Sequence, residues 1–166
     1  MDESKVQFLL DRMEISDTVI RYATGIDIRN WEMYRSCFTD EVEVDFSSWM
    51  GDSPMTVSAE KWADIVRKTV SGFESTQHIS ANHVISLNGD QATCVSYLQA
   101  QHFLPNDKGD NALTLGGYYT NELVRTGGGW KIRKCKLKVT WATGNQYVFK
   151  LAREKISMQD ANSDKG

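Results

Sequence analysis

The sequence predicts an α+β domain: N-terminal helices packed on a strongly curved, mostly antiparallel sheet that encloses a conical cavity. Three observations carry this. Apolar residues recur at helical spacing as far as Gly72, the period then changes to that of strands, and the alternating segments are long and joined by short turns.

Residues 4–24 read as an amphipathic helix capped by Ser4, with Val6, Leu9, Leu10, Met13 and Ile20 at helical spacing. Gly25 is expected to stop or bend it. A short second helix is expected from about Arg29 to Phe38, and Glu41-Val42-Glu43-Val44-Asp45-Phe46 alternates as a half-buried strand does. After a loop over Gly51–Pro54, Ser58 and Glu60 open a third helix whose Trp62, Ile65, Val66, Thr69 and Val70 make one face. Strands are then expected over 76–87, 91–104, 112–126 and 129–141. Asn88-Gly89 suits a tight type I′ hairpin, and Gly127-Gly128-Gly129 makes a second turn. Strands this long cannot stay flat, so the sheet curls around a cavity. A short terminal helix is expected over 146–156. The organisation is one domain, 1–157, followed by a polar, frayed tail, 158–166.

Composition narrows the function. Of 166 residues, 40% are hydrophobic and 25% charged, and the net charge of −3 gives no field to gather nucleic acid or anionic membrane. No apolar run is long enough to span a bilayer, and the N-terminus has no cationic region followed by an apolar one; a cytoplasmic protein is expected. The three cysteines, Cys37, Cys94 and Cys135, form no CxxC pair. Lys131, Arg133, Lys134, Lys136 and Lys138 alternate on the last strand and read as a solvated face. Phosphate loops, dinucleotide fingerprints and nucleophile elbows are absent, and no histidine spacing suggests a metal, so neither cofactor nor metal is expected.

Asp27, between two isoleucines, either caps the helix that follows or works in an apolar interior. Its natural partner is His78: a carboxylate on one imidazole nitrogen fixes the tautomer and leaves the other nitrogen as a base. His78 alone also reads as a structural histidine. Alternation puts His78 and His83 on opposite faces unless a bulge intervenes, which weakens a metal pair. With Asn88-Gly89 setting the turn, Leu87 pairs with Gln91, and His78 falls opposite Ala100 with His102 diagonal on the same face. Tyr22 is a further candidate, a phenol able to donate to a departing oxygen or an oxyanion. On an unbroken helix it would diverge from Asp27 by about 140°; a break at Gly25 would let them converge. Phe46, Trp49, Trp62, Asn82, Tyr118 and Trp141 are expected to contact the substrate.

Taken together, Tyr22-x4-Asp27 with Trp31, Phe38-Thr39-Asp40-Glu41-Val42, Thr76-Gln77-His78-x3-Asn82, Gly116-Gly117-Tyr118-Tyr119 and Gly129-Trp130-Lys131-Ile132 resemble the SnoaL-like branch of the nuclear transport factor 2-like superfamily, over residues 5–145. The resemblance implies a cone-shaped α+β fold. It also implies kinship with scytalone dehydratase, hexachlorocyclohexane dehydrochlorinase and bile acid 7α-dehydratase, cofactor-free lyases with an aspartate–histidine pair. Asp27 and His78 sit at the matching positions, His102 matches a second histidine of the scytalone enzyme, and Tyr22 matches a tyrosine of the bile acid enzyme. The scytalone enzyme's two pocket tyrosines correspond to Ile26 and Phe46 here, and the acid that accompanies the dyad in the bile acid enzyme falls at His102, so neither substrate transfers. The expectation is a lyase or isomerase acting on a hydrophobic cyclic small molecule, in a homo-oligomer (dimer or trimer). The alternative is a non-catalytic binding or oligomerising subunit, such as the small subunit of a ring-hydroxylating oxygenase.

Overall fold

The computed structural model describes residues 2–163, with side chains as far as Gln159. Helix α1 (Glu3–Asp27) is opened by Asp2, whose carboxylate accepts from the Ser4 N–H at 3.0 Å, so the cap is Asp2 and not Ser4. The helix does not stop or bend at Gly25. It runs through that residue because α2 (Trp31–Ser36) crosses there: a Cβ on Gly25 would lie 2.9 Å from the Tyr34 nitrogen. Ile15, Val19, Tyr22 and Ile26 form the buried stripe. Arg29, at φ +59°, turns the chain, and Asn30 caps α2 by accepting from the Met33 N–H at 2.9 Å.

Strand β1 (Phe38–Asp45) is followed by the short helix α3 (Ser47–Met50) and strand β2 (Met55–Ser58), neither expected from the sequence. Ser58 then caps α4 (Ala59–Val70), as expected. The long strands are β3 (Ser75–Asn88), β4 (Gln91–Phe103), β5 (Ala112–Thr126) and β6 (Gly129–Gly144). The six strands lie in the order β2-β1-β6-β5-β4-β3, antiparallel except for the β1–β6 pair. The expected meander is therefore present, extended by β1 and β2, and the sheet curves without closing. Helix α5 (Val148–Ser163) buries Val148 and Ala152 and is longer than expected. The supposed tail is helical to Ser163; positions 164–166 lie outside the described residues.

The core lies between the helices and the inner sheet face, where Tyr34, Phe38, Val42, Leu113, Leu123 and Ile132 are buried. At one end Asp11 clamps α1 to the sheet: Arg125 grips both its oxygens, at 2.6 and 2.7 Å, and Trp130 Nε1 donates to Oδ1 at 3.2 Å. The basic run on β6 is an ion-paired outer surface, with Lys134 on Glu43, Lys136 on Asp45 and Arg133 on Glu122.

Bulges set which side chains face inward. Asn82, at φ +54°, lies in a bulge between Ala81 and Val84. Before it His78 points inward; after it parity flips, so His83 points inward too and hydrogen-bonds Ser16 of α1 at 2.7 Å. The β3–β4 turn is centred on Gly89 and Asp90, one residue later than expected. Gly89 alone has φ +59°, a pattern that suits type II′ and not I′. The later turn and the bulge cancel, and His78 does pair with Ala100.

Candidate active site

Asp27, the last residue of α1, turns its carboxylate toward β3. His78 Nδ1 is 2.7 Å from Oδ1, the His78 backbone N–H donates to Oδ2 at 2.6 Å, and the Thr76 hydroxyl donates to Oδ1 at 2.9 Å. Since Asn30 caps α2, Asp27 is not the cap of the following helix. A carboxylate can only accept, so His78 Nδ1 carries the hydrogen and the neutral ring's Nε2 keeps its lone pair. Burial opposes ionisation of Asp27, but the hydrogen bonds and charge contributed by His78, with Thr76, outweigh it and hold the carboxyl below its ordinary pKa.

Arg29 supports this arrangement, a role sequence reading missed. Its Nη1 donates to the Thr76 hydroxyl at 2.8 Å and to the Ile26 carbonyl at 2.7 Å, and Nη2 donates to the Val70 carbonyl at 3.1 Å. The left-handed backbone at Arg29 delivers the guanidinium beneath the ends of α1 and α4. Its clue was only the spacing from Asp27; the conformation was not legible.

His102, on β4, is 4% exposed and meets His78 edge-on, with ring centroids 5.3 Å apart. It is packed between Phe73 and Phe149 at 5.1 and 4.6 Å, and its Nδ1 has no protein partner among the described residues. Burial pushes its pKa down to about 3, so it is neutral at pH 7 and can donate or accept without carrying charge. Tyr22 is buried on α1 and hydrogen-bonds the Tyr119 hydroxyl at 3.4 Å, not the Asp27–His78 pair. With no break at Gly25, the expected convergence of Tyr22 on Asp27 does not occur. Tyr22 and His78 instead share a cavity.

That cavity measures about 590 Å³, counting the open space at its mouth, and is bounded by α1, α3, α4, α5 and the inner sheet face. Its walls are mostly apolar, and His78, His102, Tyr22 and Tyr119 supply the main polar groups. Of the expected substrate contacts, Phe46, Trp49 and Trp62 line it. Asn82, Tyr118 and Trp141 do not, and all three border a groove on the opposite sheet face. Asn82 is displaced by its bulge. Tyr118 has the wrong parity: Leu113 and Leu115 face inward, and so, in step with them, does Tyr119. Trp141 is turned outward because Thr140 is the extra residue where Gly116 and Gly117 pair with Trp141 and Val139, and its indole lies where a Gly116 side chain would be. Among the described residues, no group of three or more His, Cys, Asp or Glu could hold a metal ion, and no helix is long and apolar enough to cross a membrane.

Comparison with known proteins finds similarity over most of the chain. The family model described as a SnoaL-like domain matches residues 7–136. The crystal structure of the Kfla4162 protein from Kribbella flavida is 32% identical, covers 87% of this chain and 97% of its own, and superposes with a TM-score of 0.80. The hexachlorocyclohexane dehydrochlorinase LinA-type3 from Novosphingobium barchaimii LL02 shares the fold at 19% identity, covering 86% of this chain and 94% of its own, with a TM-score of 0.73. Terrestric acid biosynthesis cluster protein E of Penicillium crustosum is 23% identical over 146 residues, 85% of this chain and 90% of that protein.

Proposed function

The chain belongs to the SnoaL-like domain family, and from that premise we propose that it is a cofactor-independent lyase or isomerase acting on a hydrophobic cyclic small molecule. The observation that carries this reading is the Asp27 carboxylate 2.7 Å from His78 Nδ1, in the wall of an apolar cavity. Nε2 of His78 takes a proton from carbon or a hydroxyl, and Asp27 orients the ring and stabilises the imidazolium. In an elimination, the carbon–oxygen bond then breaks, a double bond forms, and the departing oxygen takes up a proton and leaves as water. In an isomerisation the proton returns to a second carbon. His102 or Tyr22 donates to the oxygen on which charge develops. The dehydrochlorinase among the structural neighbours and the biosynthetic-cluster relative are consistent with such chemistry.

The test is a set of neutral cyclic ketones and β-hydroxy ketones incubated in D2O, with deuterium uptake or water loss read by mass spectrometry. His78→Ala is expected to abolish turnover without changing the circular dichroism spectrum; full turnover in that variant would remove the proposal.

The same reading includes a homo-oligomer, a dimer or trimer. Ile79, Tyr97 and Trp141 are 49%, 60% and 49% exposed on the outer sheet face, an apolar patch that a second copy would cover.

A further inference from the structure

Helix α1 (Glu3–Asp27) is apolar on two sides, and the fold buries only one of them. The buried stripe is Ile15, Val19, Tyr22 and Ile26. The apolar series that stands out in the sequence, Val6, Leu9, Leu10, Met13 and Ile20, is a different one. By the helical period, Leu9, Met13 and Ile20 fall within about 40° of one another and about 140° from the buried line. Leu9 is 59% exposed, Leu10 51%, Met13 64% and Ile20 47%, and Val6 is half-buried. A helix that is apolar on opposite sides belongs between two bodies and not on the outside of one.

The pattern of the stripe indicates what covers it. Val6 and Ile20 each stand seven residues from Met13, one on either side, so the stripe is symmetric about its middle. A second copy of the helix, laid antiparallel across a two-fold axis at Met13, sets Met13 on the partner's Met13 and Val6 on the partner's Ile20. The flanking charges agree with this. Glu3 and Arg21 are eighteen residues apart, five full turns, and lie along the same flank of the stripe. Both are exposed, and among the described residues neither takes part in an ion pair. Antiparallel packing brings Glu3 to the partner's Arg21 at both ends and opposes the two helix dipoles. Parallel packing would set like charges together at each end. A bilayer surface fits less well: along the flanks Glu3, Glu14 and Asp17 balance Lys5, Arg12 and Arg21, whereas helices that lie on membranes are rich in Lys and Arg.

We propose that the outer stripe of α1 is an interface between two copies of this chain, an antiparallel helix pair centred on Met13 and closed at each end by Glu3 and the partner's Arg21. This surface is distinct from the apolar patch on the outer sheet face and does not depend on the enzymatic reading. Since α1 lies on the other side of the sheet, one molecule can use both surfaces. Five apolar side chains per copy make a small contact, so a dissociation constant of about 100 µM is expected.

The intact chain carrying Tyr97→Glu isolates this contact from the sheet patch. Sedimentation velocity from about 5 µM to about 500 µM should show it passing from monomer to dimer. Adding Met13→Glu should keep it monomeric throughout, with an unchanged circular dichroism spectrum because Met13 is exposed. Adding Glu3→Arg should weaken association about five-fold, the worth of two surface ion pairs, and Glu3→Arg with Arg21→Glu should restore it. The proposal is overturned if the Tyr97→Glu chain stays monomeric at the highest concentration, if Met13→Glu leaves association unchanged, or if the double charge swap associates no better than Glu3→Arg alone. It is equally overturned if wild type floats with vesicles of equal parts phosphatidylglycerol and phosphatidylcholine and Met13→Glu does not, which would give the stripe to a membrane.

Discussion

The Thr76 hydroxyl accepts from Arg29 Nη1 at 2.8 Å and donates to Asp27 Oδ1 at 2.9 Å. A hydroxyl has one hydrogen, so the guanidinium on one side obliges the donation on the other. Arg29 thereby directs a carboxylate it does not touch. Thr76→Val should lower turnover about ten-fold or more and Thr76→Ser should restore it, as expected for a group that orients a reacting residue. Steady-state rates on any substrate found by the D2O screen check this; equal rates in all three proteins would count against it.

Asp27→Asn tests tautomer control. An amide can donate as well as accept, so His78 Nδ1 is free to lose its hydrogen and Nε2 to gain it. The activity should fall by about a thousand-fold or more, since the base is then blocked. Nitrogen-15 spectra of the imidazole should show the hydrogen mainly on Nδ1 in wild type and redistributed in the variant.

His102 should impose an acid limb on stability. Its pKa is pushed down from 6.5 to about 3 by burial, so between those values the unfolded chain binds a proton that the folded one refuses. Its contribution is complete above pH 6.5 and is lost as pH falls from there toward 3. The loss amounts to a few kcal/mol, at roughly 1.4 kcal/mol per pH unit. Urea midpoints between pH 7 and 4 should fall less steeply in His102→Phe, whose ring suits the Phe73–Phe149 sandwich.

Gly25→Ala should destabilise, against the helix-propensity trend. Inside an unconstrained helix that change gains about 1 kcal/mol. Here the new methyl would stand 2.9 Å from the Tyr34 nitrogen, and forcing α1 and α2 apart should cost about 1–3 kcal/mol, read as a lower Tm.

Tyr97→Glu probes the outer face. The charge should shift the protein to monomer in sedimentation velocity while leaving the Asp27–His78 geometry untouched. An unchanged sedimentation coefficient would assign that patch no part in assembly.

The strand ladder was readable because its period is local, and the Asp27–His78 pairing because each residue's chemistry is narrow. What escaped depended on single-residue offsets. His83 faces inward because a left-handed Asn82 supplies the bulge that plain alternation leaves open, and Trp141 faces outward because of the extra residue at Thr140. Tyr119 could have been found: carrying the alternation of Leu113 and Leu115 forward selects it over Tyr118. Gly25 was misread because a glycine that ends a helix and one that admits a neighbouring helix look alike until the neighbour is placed. Asp27 needed the fold to choose between cap and site, since Asn30 takes the capping role only once α2 begins at Trp31.

The kink at Asn82 also lies on a rim of the sheet, because β3 is its last strand, and the opposite rim is the short β2, which follows Pro54. A distorted border and a stunted one are poor templates for an incoming chain. Ribbon-to-ribbon growth, the route by which exposed strands polymerise, is therefore discouraged at either border, which leaves broad surfaces as the favoured means of meeting another molecule.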